Sequence, residues 1–280
     1  MRAAGRASER CPWRVSYVAT MGENVHLERG TADGVAVIRL DRPKVNALST
    51  PMMLELGEIC AKLAGDDSVR AVVVTGGRKN FAAGADISEF PSYDQASATA
   101  FSTTFNEVLL ALENLPQVTI SAINGFALGG GLEVAVSTDF RMMADDARLG
   151  VPEIQLGLIP GGGGTQRLSR LAGVTMAKDM VYSGRHVGAD EAVARGLASS
   201  VHDPDEVMDA AVAKAAEYAK GPAALRMAKR AIMDGLALSL EEAVKVEAAQ
   251  FGACFATDDC RTGVQSFMEN GPGKATFTGT

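Results

Sequence analysis

From about residue 24 the chain alternates two hydrophobic rhythms. Residues 35–40 (VAVIRL) are a short apolar run closed by the turn signal Asp41-Arg42-Pro43, which predicts a strand. Thr50-Pro51 then opens a helix to about residue 64, with a hydroxyl residue at the cap and proline in the first turn. Residues 70–75 (RAVVVT) are continuously apolar, as in a strand buried on both faces. A helix over 95–113, a strand over 118–122, a helix start within 129–131 and a strand over 140–143 follow. Short apolar strands separated by helices argue for an α/β fold with right-handed crossovers. After residue 161 the rhythm turns helical, near 163–181, 189–195, 204–219, 222–235, 239–256 and 258–269, with 197–201 the one strand-like stretch. The late helices alternate apolar and charged residues, as in Leu240-Glu241-Glu242-Ala243-Val244, a pattern of one covered and one solvated face. The expected division is an extension over 1–22, an α/β body over 23–200 and a helical region over 201–280 suited to oligomerisation.

Composition narrows the function classes. Of the 280 residues, 47% are apolar and 22% charged, an ordinary globular balance. The net charge of −7 and the absence of a Lys/Arg-rich run make nucleic acid a poor partner. No apolar stretch reaches the roughly 18 residues of a membrane span. Cys11, Cys60, Cys254 and Cys260 form no CxxC and no zinc-ligand spacing, so they read as free thiols in a reducing compartment, the cytoplasm. The segment before Thr20 carries Arg2, Arg6, Arg10 and Arg14 against Glu9. It reads as an extension ahead of an internal start at Met21; the alternative is a transit peptide, which would place the protein in the mitochondrial matrix.

Familiar chemistries are missing. Neither Gly-rich segment, 125–131 or 157–164, carries the Lys-Ser/Thr of a P-loop or fits GxGxxG, and there is no HExxH or GxSxG. Only His26, His186 and His202 are available as imidazoles, and His186 reads as a loop residue. Three other segments carry candidate chemistry. NFAAGADI (80–87) follows a buried strand with small residues that leave backbone N–H groups open to a ligand; alone, it reads as a βα turn. NGFALGGGLE (124–133) runs a strand into a glycine turn opening a helix, which gathers unpaired N–H groups where an oxyanion would be stabilised. Glu133 falls in that helix's first turn, where an acid also complements the dipole. GVPEIQLGLIP (150–160) sets Glu153 among apolar neighbours, which should raise its pKa, though a surface glutamate would fit the same segment.

The order AAGAD, NGFALGGGLE, GVPEIQLGLIPGGGGTQRL resembles the enoyl-CoA hydratase/isomerase (crotonase) superfamily. The likeness extends from about residue 23, including Asp41-Arg42-Pro43, Asn46-Ala47-Leu48 and Ser183-Gly184-Arg185. It implies an α/β crotonase-like ββα spiral with a C-terminal helical trimerisation region, assembled as a homotrimer or dimer of trimers. It also implies an oxyanion hole from the N–H groups of Ala85 and Gly130, and two glutamates acting together, matched here by Glu133 and Glu153. Coenzyme A would be held by backbone groups around Lys44, Asn46, Ala47 and Leu48 and around Ala83, Gly84, Asp86 and Ile87. Apart from the resemblance, Arg42, Lys44, Arg78 and Lys79 flank those segments and are candidate cations for its phosphates, though a solvated surface would fit the same residues.

Hydration of a trans-2-enoyl-CoA, in β-oxidation or related acyl-CoA catabolism, is therefore the expected activity. No metal or redox cofactor is expected, coenzyme A entering as part of the substrate. The alternatives are a Δ3,Δ2-enoyl-CoA isomerase, which needs only the Glu153 carboxyl, and a non-catalytic acyl-CoA-binding subunit.

Overall fold

The computed structural model describes residues 17–20 and 22–280, so Cys11 and the N-terminal arginines lie outside the described residues. Seven strands form the main sheet: β1 (Tyr17–Thr20), β2 (Val25–Ala32), β3 (Val35–Leu40), β4 (Ala71–Thr75), β5 (Val118–Ile123), β7 (Phe140–Ala144) and β10 (Ser200–His202). They lie side by side in that order. The first three are antiparallel and the rest run parallel from β3 onward. A second sheet joins β6 (Phe126–Leu128), β8 (Arg148–Gly150) and β9 (His186–Val187). The strands of this small sheet are two or three residues long, too short for a period to register in the sequence.

Alternation explains why β4 reads as a solid apolar run. Val72 and Val74 point into the larger core, while Ala71 and Val73 point into a second core on the opposite face. The larger core is closed by α1 (Thr50–Ala64) and α2 (Gln95–Glu113). In α1 the buried positions Met52, Met53, Leu56, Ile59, Cys60 and Leu63 keep helical spacing, and Ser49 caps the start by accepting from Met52 N. A reciprocal Asp94–Ser97 capping box fixes the start of α2 where the sequence places it. The second core is covered by α7 (Val207–Ala219) through Val207, Ala211, Ala215 and Ala219.

Between these lie α3 (Gly130–Val136), α4 (Gly164–Ala172), α5 (Val174–Ser183) and α6 (Ala189–Ala194). The single helix expected near 163–181 is two, because Gly173 at φ +84° breaks it. The strand expected at 197–201 is shifted, with Leu197 buried ahead of β10. The chain ends in α8 (Ala224–Gly235), α9 (Leu240–Cys254) and α10 (Asp258–Asn270). Lys229 ties α8 to the sheet, its Nζ 2.9 Å from Asp139 Oδ2 and 3.0 Å from the Gln117 carbonyl. Asp259 anchors α10 by accepting from the amides of Ala223, Thr278 and Gly279. Ile232, Leu236, Leu240, Phe251 and Phe267 on these last helices are exposed. No helix among the described residues is long and apolar enough to cross a membrane.

Candidate active site

Three extended strips lie beside one another at the end of the sheet. Leu48 bridges Ala85 and Ala82 bridges Ala127, both in parallel sense. In the first bridge Leu48 N donates to Gly84 O at 2.8 Å and Asp86 N donates to Leu48 O at 2.9 Å. Pairing through the flanking residues turns the Ala85 N–H away from this strip. On the third strip Gly129 takes φ +51°, a conformation glycine adopts without strain, and hands the chain to α3. Gly130 is the first residue of that helix, where an N–H has no intrahelical acceptor. Among the described residues neither the Ala85 nor the Gly130 amide has a protein acceptor. A methyl group built on Gly130 would lie 3.5 Å from Ala85 N, so the two amides border one small space.

The strips are locked by polar contacts within the protein. Asn46, buried and at φ +53°, donates from Nδ2 to the carbonyls of Gly76 at 2.9 Å and Phe81 at 3.0 Å and accepts from Arg42 N. Arg42 donates to Asp86 Oδ2 at 2.6 Å and to the Ala47 carbonyl at 2.7 Å. Asp86 caps the 3-10 turn Ile87–Ser92, and bonds from Ser88, with Arg42 beside it, hold its carboxyl below the usual range. Of the cations expected near the phosphates, Arg42 pairs with Asp86 and Arg78 with Asp205. Lys44 and Lys79 are exposed and form no ion pair among the described residues.

Glu133 follows one turn into α3 and is 2% exposed. Its Oε1 accepts from Gly162 N at 2.8 Å and Gly164 N at 2.7 Å. Burial pushes this carboxyl up to about 7, opposed by those two amides and by Arg167, and assisted by the charge of Glu153. Glu153 sits in the 3-10 turn Pro152–Leu156, which Leu158 N closes onto the Glu153 carbonyl at 3.1 Å. Burial raises its pKa as well. Among the described residues its Oε2 is buried with no hydrogen-bond partner. A Cβ on Gly129 would stand 2.9 Å from Glu153 Oε1, which places this carboxyl against the start of α3.

Both glutamates, Ala85 and Gly130 line one cavity of about 880 Å³, the size of a pocket for a substantial ligand. Ala83, Gly84 and Ile87 also line it, whereas Lys44, Asn46, Ala47 and Leu48 lie on the adjoining strip. The structure brings in groups that the sequence did not single out. Phe105, 3% exposed, packs so close that a Cβ on Gly162 would meet its ring at 2.6 Å. The amides of Gly162 and Gly164 are signalled only by a glycine run, and Arg167 by nothing local. His186 lies in β9, exposed and edge-on to Phe126, outside the cavity lining. Cys60, Cys254 and Cys260 are free.

Chemically, the site sets two proton-holding carboxyls and two open amides around one apolar chamber. A carboxyl that accepts from two N–H donors suits proton acceptance, and one with a buried oxygen left unpartnered suits proton donation. The sequence profile of the enoyl-CoA hydratase/isomerase family matches residues 30–279. The chain is 41% identical over 249 residues to the short-chain-enoyl-CoA hydratase of Clostridium acetobutylicum, covering 88% of this chain and 95% of that protein. It is 39% identical over 250 residues to the crotonyl-CoA hydratase of Syntrophomonas wolfei, with the same coverage of 88% and 95%. The crystal structure of an enoyl-CoA hydratase from Bacillus anthracis superimposes with a TM-score of 0.86 at 34% identity, covering 92% of this chain and all of that one.

Proposed function

The chain belongs to the enoyl-CoA hydratase/isomerase family, and from that membership we propose that it is an enoyl-CoA hydratase in which Glu133 and Glu153 act together. The observation that carries this reading is that two carboxyls, Glu133 and Glu153, and two amides without protein acceptors, those of Ala85 and Gly130, line one cavity.

In the proposed reaction the thioester oxygen of a trans-2-enoyl-CoA sits between the N–H groups of Ala85 and Gly130. Glu133 takes a proton from water as the water oxygen attacks C3. The electrons of the double bond move onto the thioester oxygen, and the two amides stabilise the charge that gathers there. Glu153 then protonates C2, giving the 3-hydroxyacyl-CoA. The starting protonation states return when the proton on Glu133 passes back to Glu153. The charge of Glu153 raises the pKa of Glu133, so the state of one carboxyl bears on the other. The backbone strips at 44–48 and 83–87 are proposed to carry the coenzyme A moiety, with Lys44 and Lys79 near its phosphates. The exposed apolar side chains of α8, α9 and α10 support assembly through this region as a trimer or a dimer of trimers. The free cysteines agree with a cytoplasmic setting, and hydration of an enoyl thioester is the chemistry that acyl-chain breakdown by β-oxidation requires.

Glu133→Gln tests the reading against the isomerase alternative. A hydratase loses about two to four orders of magnitude in enoyl-CoA hydration when its base is removed. An isomerase that shuttles a proton on Glu153 alone retains most of its rate on a 3-enoyl-CoA. Acyl-CoA binding with neither product would mark a non-catalytic subunit.

A further inference from the structure

The loop that presents amides to Glu133 is held from two sides. From α2, Ser102 Oγ and Asn106 Nδ2 donate to the Gly161 carbonyl at 2.6 and 2.7 Å. From α4, Arg167 Nη1 donates to the Gly162 carbonyl at 2.9 Å. The rest of the guanidinium is taken by Glu113 at the end of α2, with Nη2 2.8 Å from Oε2 and Nε 3.2 Å from the same oxygen. Arg167 is only 9% exposed, and a charge at that depth persists where partners hold it. Packing alone does not call for it, since an apolar side chain of similar size fills such a place equally well. What the arginine adds is a positive charge on the Gly162–Gly163 peptide, which lies between the two peptides whose N–H groups, those of Gly162 and Gly164, face Glu133.

We propose that Arg167, held in place by Glu113, is a positioning residue for hydration, fixing the turn that carries the Gly162 and Gly164 amides against Glu133 Oε1 and setting its positive charge near that carboxylate. The proposal rests on the hydratase reading for its kinetic consequence, though not for the state of the carboxyl itself. The charged groups facing Glu133 are Glu153, which opposes its ionisation, and Arg167, which favours it. Glu113 faces Arg167 and partly cancels it. Arg170, the other cation of α4, turns to Gln166 instead.

The two halves of the pair therefore have opposite effects. Arg167→Met removes the favourable charge and loosens the loop, so Glu133 holds its proton to higher pH. Glu113→Gln keeps a hydrogen-bonding partner while removing the opposing charge, so Glu133 releases its proton at lower pH. The test is the pH profile of kcat/KM for crotonyl-CoA, paired with infrared titration of the Glu133 carboxyl in the free protein, identified by its loss in Glu133→Gln. Arg167→Met should move the acid limb up by about one pH unit and lower kcat, with KM changed by about twofold or less. Glu113→Gln should move the limb down. Arg167→Lys should return the limb towards that of the wild type without restoring kcat, since an ammonium lacks the fork that reaches both Gly162 O and Glu113. An unmoved limb in Arg167→Met, or the same direction in Arg167→Met and Glu113→Gln, overturns the proposal. Should Arg167→Met fail to fold, Glu113→Gln decides: an unmoved or raised limb overturns it. Should the wild type hydrate nothing, the hydratase reading falls, and the infrared titration of the same variants still decides the role of Arg167.

Discussion

Replacing Glu133 by Gln is expected to stabilise the protein at pH 8 while abolishing most of its activity. The wild-type carboxyl is buried and pushed from an ordinary 4.5 to about 7. Each pH unit of such a displacement is worth about 1.4 kcal/mol, so ionising Glu133 inside the fold costs about 3 kcal/mol. The sign follows from proton binding. With the folded pKa raised, the folded chain binds the proton more tightly than the unfolded one. This contribution is fully present below about pH 4.5 and is lost as pH rises through about 7. Glutamine is neutral throughout, and its Oε1 accepts from Gly162 N and Gly164 N as the carboxyl does. The variant should therefore match the wild type near pH 4.5 and exceed it by about 3 kcal/mol at pH 8. Denaturant unfolding at matched protein concentration across this range measures the gap, the fixed concentration removing any contribution from assembly. A gap that stays flat with pH, or a variant less stable than the wild type at pH 8, would refute the account of Glu133 as a carboxyl ionised against its surroundings. The stability gained would measure what the site gives up for function.

Other outcomes follow from the same geometry. Gly130→Ala places a methyl 3.5 Å from Ala85 N and 3.0 Å from the buried Phe105 ring, so it should crowd the space between the two amides and cost about 10²–10³ in kcat, with about 1–3 kcal/mol of stability lost to overpacking; wild-type kcat would remove Gly130 from the oxyanion site. Tyr93, Phe101 and Phe105 line both the main cavity and a neighbouring hollow of about 250 Å³. Phe101→Ala should join them and raise the decenoyl- to crotonyl-CoA ratio of kcat/KM by about tenfold, as methylene burial in a pocket permits; an unchanged ratio would place the acyl tail elsewhere. Lys229→Met leaves Asp139 without its cation and should destabilise the protein by about 2 kcal/mol in denaturant melts, whereas Lys229→Met combined with Asp139→Asn should recover part of the loss.

Local signals were legible where local rules decide the structure. The run over 95–113 carries its own capping box, and α2 begins and ends where the sequence places it. The glycine turn before Glu133 opens a helix as expected. Legibility fails where the determinant is distant in sequence. Arg167 meets Glu113 across 54 residues, and Glu133 meets the Gly162 amide across 29. Arg42 meets Asp86 across 44 residues, a pairing no local pattern announces. The small sheet of β6, β8 and β9 escaped for a different reason: three residues carry no readable alternation, and its strands are brought together by the fold.

The central claim is that two carboxyls and two amides around one cavity hydrate an enoyl thioester. It is tested most directly by following the loss of the conjugated enoyl-thioester absorbance of crotonyl-CoA with the wild type, Glu133→Gln and Glu153→Gln. Rapid loss in the wild type that collapses in both variants is the predicted result. No loss in the wild type with crotonyl-CoA or longer enoyl-CoA substrates, or full activity in either variant, would contradict it.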